Sequence, residues 1–222
     1  MSEKSESPFA RRFFLTRVGT GMTVPGAAVA GRLPAAAGQT PQASQGSRWQ
    51  AERHAQDDWL DQIPGKHRLV FDTTDSGGIA SASNYATNYY AANNSGYGLQ
   101  NGDLAVVIVA RHLSTPYAYK EEMWAKYGVP IANFAESGKE PTMRNAHARQ
   151  LTGLVGRGAH LAVCQLATRA IAGSIARAVN ANTDEIYNEL VANLLPNSHM
   201  VPAGIVAVAR AQERGYALVH AV

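Results

Sequence analysis

The chain of 222 residues has a single cysteine, Cys164. One thiol cannot close an internal disulfide, so the covalent staple common in small exported domains is excluded and the core must hold by packing. A lone thiol is either protected by burial or retained for its own chemistry. Charged residues make up 17% of the chain, below the roughly 25% of an average globular domain. Ion pairs are therefore a minor resource, and the 45% of hydrophobic residues must carry the fold. Beyond residue 37 no apolar run approaches the length of about 18 residues that a membrane-spanning helix needs. The seven histidines are scattered, without a His-Glu-x-x-His pattern or a second thiol, so no metal site is expected. Gly-x-Ser-x-Gly is absent, which argues against the usual nucleophile of α/β-hydrolases. There is neither a Walker loop nor a dinucleotide fingerprint, and no cofactor is expected.

What is present begins with Arg11-Arg12, in the run Ala10-Arg11-Arg12-Phe13-Phe14-Leu15-Thr16. It resembles the twin-arginine signal that sends folded proteins across a bacterial membrane. A weakly apolar stretch from Val18 to Ala30 follows, with small-residue cleavage candidates at Ala28-Val29-Ala30 and Ala35-Ala36-Ala37, the layout of an export leader over residues 1–37. Lys4, Arg11, Arg12, Arg17 and Arg32 against Glu3 and Glu6 give that leader a charge of +3, which is the charge of the whole chain. The mature protein is then near neutral. Without a basic cluster it lacks the phosphate contacts of a nucleic-acid binder. Periplasmic or other exported localisation is the expectation.

Residues 38 to about 47 are polar and of low complexity, a spacer, and Trp49 to Ile63 suggests a short lead-in helix, so 38–65 connects leader to domain. From there strand and helix signals alternate. Arg68–Thr73, Asp103–Ala110, His160–Cys164, Ser198–Val201 and Tyr216–His220 read as strands; Ile79–Asn93, Tyr119–Tyr127, Arg144–Val155, Leu166–Val179, Asn182–Leu195 and Pro202–Arg214 read as helices, with an exposed loop over Glu136–Pro141. The near-continuous apolar strand Leu104–Ala110 is the type buried on both faces. The pattern predicts a three-layer α/β domain over 66–222, with a mainly parallel five-stranded sheet and helices on both faces.

Ligands of open α/β sheets bind beyond the carboxyl ends of the strands. Those ends carry Asp75-Ser76-Gly77-Gly78 after the first strand, Arg111-His112 after the second and Cys164-Gln165 after the third. A thiol at a helix start meets unpaired N–H groups and the positive end of the helix dipole, which favour the thiolate, and Arg111 or a protonated His112 adds to this. Cys164, His112 and Arg111 are thus the candidate catalytic residues. The Asp75–Gly78 turn is a candidate anion cradle. A buried Cys164 acting as a small hydrophobe stands as the alternative. The aromatics Tyr85, Tyr89, Tyr90, Tyr117, Tyr119 and Trp124 read as core and interface.

The order of elements, Gly158-Ala159-His160-Leu161-Ala162-Val163-Cys164, and the closing pattern Val201-Pro202-Ala203-Gly204 with Ala211-Gln212-Glu213-Arg214-Gly215-Tyr216-Ala217 resemble the DsrE/DsrF-like family of sulfur-relay proteins, over roughly Lys66 to the C-terminus. The resemblance implies a small α/β domain that assembles into trimers or hexamers, with Cys164 in the place of a cysteine that carries sulfur as a persulfide between donor and acceptor partners. This chain departs from the family in its export leader, in the long segment between the second and third strands, and in lacking Arg-Gly after the thiol. The functional expectation is sulfane-sulfur transfer through Cys164. A non-enzymatic oligomeric binding or scaffold module is the alternative.

Overall fold

The computed structural model describes residues 49–135 and 143–222. The expected export leader over 1–37, the expected spacer after it and the expected loop over 136–141 fall outside the described residues. The body is built from α1 (Trp59–Gln62), β1 (His67–Thr73), α2 (Ser76–Tyr97), β2 (Leu104–Ala110), α3 (Glu121–Ala135), α4 (Ala148–Val155), β3 (His160–Cys164), α5 (Gln165–Val179), α6 (Thr183–Ala192), β4 (Ser198–Val201), α7 (Gly204–Gln212) and β5 (Ala217–Ala221). All strands pair in parallel, in the order β4-β3-β2-β1-β5. The fold is α/β, as its alternation of apolar strands and helices predicts.

Strand side chains alternate between two faces, and that alternation divides the core. Leu69, Phe71, Val106, Ile108, Leu161 and Val163 pack under α2 to α6. Val70, Val107, Val109, Ala162 and Val201 pack on the other face beneath α7 and α1. Leu60 and Ile63 belong to this second cluster, so the lead-in segment is part of the packed body from α1 onward. Its helix is only one turn, preceded by a 3-10 turn over Ala55–Asp57.

Three helices differ from their expected bounds for identifiable reasons. α2 starts at Ser76 because the Asp75 carboxylate caps it, accepting from Gly78 N–H at 2.7 Å, the usual role of an aspartate at that position. α3 runs past Tyr127 to Ala135 with a kink at Tyr127 (φ −123°, ψ 23°). Pro130, three residues on, has no N–H to give and crowds the preceding turn. α4 starts at Ala148, not near Arg144, because the buried Asn145 side chain is engaged elsewhere: its Nδ2 donates to the carbonyls of Tyr117 (2.9 Å) and Tyr119 (3.0 Å). Tyr90, Tyr117, Tyr119 and Trp124 are core residues, whereas Tyr85 is exposed.

Among the described residues no helix is long and apolar enough to cross a membrane.

Candidate active site at the carboxyl edge of the sheet

The chain leaves β3 for α5 on one face of the sheet, but leaves the neighbouring β4 for α7 on the opposite face. Adjacent strand ends that diverge in this way open a crevice, the usual ligand position in an open α/β sheet. A cavity of about 420 Å³ lies there, lined by Arg111, His112 and Leu113 after β2, Cys164 at the end of β3, Leu166 and Ala167 of α5, and Gly204 and Ile205 of α7. Phe134 of α3 adds to its mainly apolar wall.

Sheet register brings these residues together. Ala110 pairs with Val163 and Val201 with Cys164, so Arg111, one step beyond β2, stands level with Cys164. Both continue the side-chain parity of Val109 and Ala162, which point to the α7 face. Asp72 of β1 shares that parity, two residues after Val70. Its carboxylate takes a bidentate pair from Arg111, Nε at 2.6 Å and Nη2 at 2.8 Å. His220 of β5, paired in register with Asp72, places Nδ1 3.2 Å from Oδ2, the oxygen that also accepts from Arg111 Nη2.

Burial alone would raise the pKa of Asp72, but the bonds and charge of Arg111, followed by those of His220, outweigh it and hold the carboxyl below its usual value. The Asp72 bridge in turn raises the pKa of Arg111, with a smaller push in the same direction from the charge of a Cys164 thiolate. Arg111 is therefore permanently cationic and fixed in place, but its Nε and Nη2 donors are committed to Asp72. The Arg111 that lines the crevice is thus a cation neutralised by Asp72.

Cys164 is 7% exposed and belongs to neither apolar cluster. It is the residue before α5, and its carbonyl accepts from the buried Thr168 hydroxyl at 3.0 Å, which itself accepts from Tyr119 O–H at 3.1 Å. The first turn of α5 is thereby anchored from below. α2 and α6 have side-chain caps from Asp75 and Asn182. α5 and α7 have none. Their first N–H groups, unpaired in any α-helix, are left for whatever occupies the crevice.

His112 is exposed and has a left-handed backbone (φ 54°), uncommon for a residue with a side chain. The turn is held by Ser114, whose hydroxyl accepts from Arg111 N–H at 3.0 Å and lies 2.8 Å from the Thr73 hydroxyl. Gly204 lets α7 begin against Arg111: a Cβ there would meet Arg111 Cβ at 2.4 Å and Cγ at 3.1 Å. Gly204→Ala is expected to push α7 off the Arg111 stem, lowering stability by about 1–3 kcal/mol as read by urea denaturation.

The crevice thus unites Cys164, Arg111 and His112. It does not include the Asp75–Gly78 turn, which lies after β1, and there the anion at the helix start is the Asp75 carboxylate itself. Gly78 serves close packing, since a Cβ would meet the Ala221 carbonyl at 2.6 Å. Sequence reasoning missed Asp72, Thr168, Tyr119 and Gly204. Of these, only Asp72 carried a visible signal, as a carboxylate inside a β-prone run that must find a partner when buried.

No family model matches the chain, and no curated protein matches it. Two solved chains match; one is a protein of unknown function from Methanobacterium thermoautotrophicum, 15% identical, with a TM-score of 0.40, covering 69% of this chain and 98% of that chain.

Proposed function

We propose that this chain is an exported DsrE-like protein in which Cys164 accepts a sulfane sulfur and passes it on. The observation that carries the reading is the position of Cys164: the only thiol lines the crevice at the point where the sheet's connections diverge, outside both sealed clusters. The thiolate attacks the outer sulfur of thiosulfate or a polysulfide, forming one S–S bond as another breaks; with thiosulfate, sulfite leaves with the bonding pair. In the second half an acceptor thiolate attacks the outer sulfur of the persulfide and Cys164 departs as thiolate. The uncapped starts of α5 and α7 supply N–H donors for the anion, Arg111 and His112 line the same space, and the apolar walls shield a persulfide from water. Exposed Leu166 (65%) and Ile205 (58%) at the mouth suit the covering subunit of a trimer or hexamer, or a donor protein.

Incubating the purified chain with thiosulfate or polysulfide is expected to add about 32 Da, one sulfur atom, to Cys164, and nothing to Cys164→Ser. Identical intact masses for the two would overturn the proposal.

The low exposure of Cys164 also supports a second reading, a binding module with a structural thiol. The two separate on alkylation. Sulfur transfer requires native Cys164 to react with iodoacetamide without unfolding, while the structural role requires it to resist until denaturant is added.

A further inference from the structure

Ser76, which takes no part in the crevice, lies at the same edge of the sheet, at the start of α2 after β1. We propose that Ser76 and His147 form a second reactive site, a hydroxyl nucleophile and its base, for acyl transfer from small neutral esters. Ser76 Oγ stands 3.1 Å from His147 Nε2, a contact joining residues 71 positions apart. Nucleophile and base within hydrogen-bonding reach is the geometry that such chemistry needs.

The base is held from several sides. His147 N–H donates to Asn145 Oδ1 at 3.0 Å, and Asn145 is fixed by the Tyr117 and Tyr119 carbonyls and by donating its own N–H to Glu121 Oε2 at 3.1 Å. The His147 ring meets the Tyr117 ring edge-on, centroids 4.7 Å apart. Burial lowers the His147 pKa, so the imidazole is neutral near pH 7 and free to take a proton. With the ring proton on Nδ1, the Ser76 hydroxyl donates to Nε2.

A stabiliser for developing negative charge is present as well. The Asp75 carboxylate satisfies Gly78 N–H, the third amide of α2, and leaves those of Ser76 and Gly77 without a partner among the described residues. Tyr117 is 1% exposed, and its hydroxyl has no hydrogen-bond partner in ordinary geometry. Burial, above all, raises its pKa against a lowering interaction with Ser76, the charge of Asp75 adds to the rise, and the phenol stays a donor. A buried hydroxyl without a partner is costly, and beside Ser76 it is placed to serve a bound carbonyl oxygen. The Asp75 charge at this turn disfavours anionic substrates, which selects neutral esters.

In the reaction Ser76 Oγ attacks the ester carbonyl carbon as its proton moves to His147 Nε2. The tetrahedral intermediate expels the alcohol, which leaves with that proton. Water, deprotonated by His147, then attacks the acyl-serine and releases the carboxylic acid, restoring Ser76. Ester and water become acid and alcohol.

The test treats the full chain with a fluorophosphonate probe and maps the adduct by mass spectrometry. A stoichiometric adduct on Ser76 is expected, absent in Ser76→Ala, slowed on the order of 100-fold in His147→Gln, and retained in Cys164→Ser, which separates this site from the thiol. Circular dichroism of the variants checks their folding. An unlabelled Ser76 in the wild-type chain, or labelling at an undiminished rate in a folded His147→Gln variant, would overturn the proposal.

Discussion

Asp72→Ala is expected to lower the unfolding free energy by about 3 kcal/mol, the loss that follows when one partner of a largely desolvated ion pair is removed. The Asp72 side chain is 8% exposed and that of Arg111 25%, so the abandoned guanidinium can reach some water and the lower part of the roughly 3–5 kcal/mol range applies. Asp72→Asn, which keeps an acceptor for one of the two Arg111 bonds, should lose less. Combining Asp72→Ala with Arg111→Met should recover most of the loss, because an apolar pair carries no stranded charge. Urea denaturation of Asp72→Ala, Arg111→Met, the double variant and the wild type completes the cycle; a double variant no more stable than Asp72→Ala would show that the cost lies in strand packing and not in the charge pair. The folded-state pKa of Asp72 is lowered. Its stabilising contribution is therefore complete above its unfolded value near 3.8 and is lost only as pH falls from there through the folded value.

The same pair shows which parts of this molecule can be read from its sequence. β2 and β3 announce themselves, because Leu104–Ala110 and His160–Cys164 are apolar at nearly every position and only a doubly covered sheet buries such strands. α5 and α7 follow from Ala-rich helical stretches. The candidate crevice residues Cys164, Arg111 and His112 could be named because strand ends in α/β sheets carry function. Register is a different kind of information. That Asp72 meets Arg111 across 39 positions depends on β1 and β2 aligning Thr73 with Ala110, which no local pattern specifies. Nor does any local pattern reveal that α7 crosses to the other face and makes the crevice, or that Gly204 abuts the Arg111 stem. Asp75 was ambiguous for a related reason. An Asp-Ser-Gly-Gly turn serves equally as a cradle for an outside anion and as a cap that supplies its own, and only the Asp75–Gly78 bond decides between them.

At the opposite edge of the sheet, His160 and His199 should make the protein sensitive to mild acid. His160 opens β3, and its Nδ1 lies 2.9 Å from Nε2 of His199 on β4. The His199 ring stacks on Trp59 at 4.0 Å between centroids, nearly parallel at 8°. A hydrogen bond between two imidazoles requires at least one neutral ring, and both rings are half-buried, with Trp59 of α1 stacked on that of His199. Burial, followed by the charge of His160, lowers the His199 pKa to about 4, and burial lowers that of His160. A histidine whose folded pKa is depressed takes up protons more readily when unfolded, so its contribution is fully present above the ordinary histidine value of 6.5 and is lost as pH falls toward the folded value near 4. Each tenfold weakening of proton binding corresponds to about 1.36 kcal/mol; discounted for the water that still reaches this half-buried ring, His199 contributes on the order of 1–2 kcal/mol over that window. His147 acts in the same direction, whereas Asp72 and Glu189, whose pKa values are lowered, begin to matter only in stronger acid. Urea midpoints measured at about pH 7.5 and about pH 4.5, on either side of the ordinary histidine range, should therefore differ strongly in the wild-type chain. His199→Phe keeps a ring on Trp59 but cannot take a proton, and should remove most of the difference. Equal acid sensitivity in that variant would place the effect on other groups.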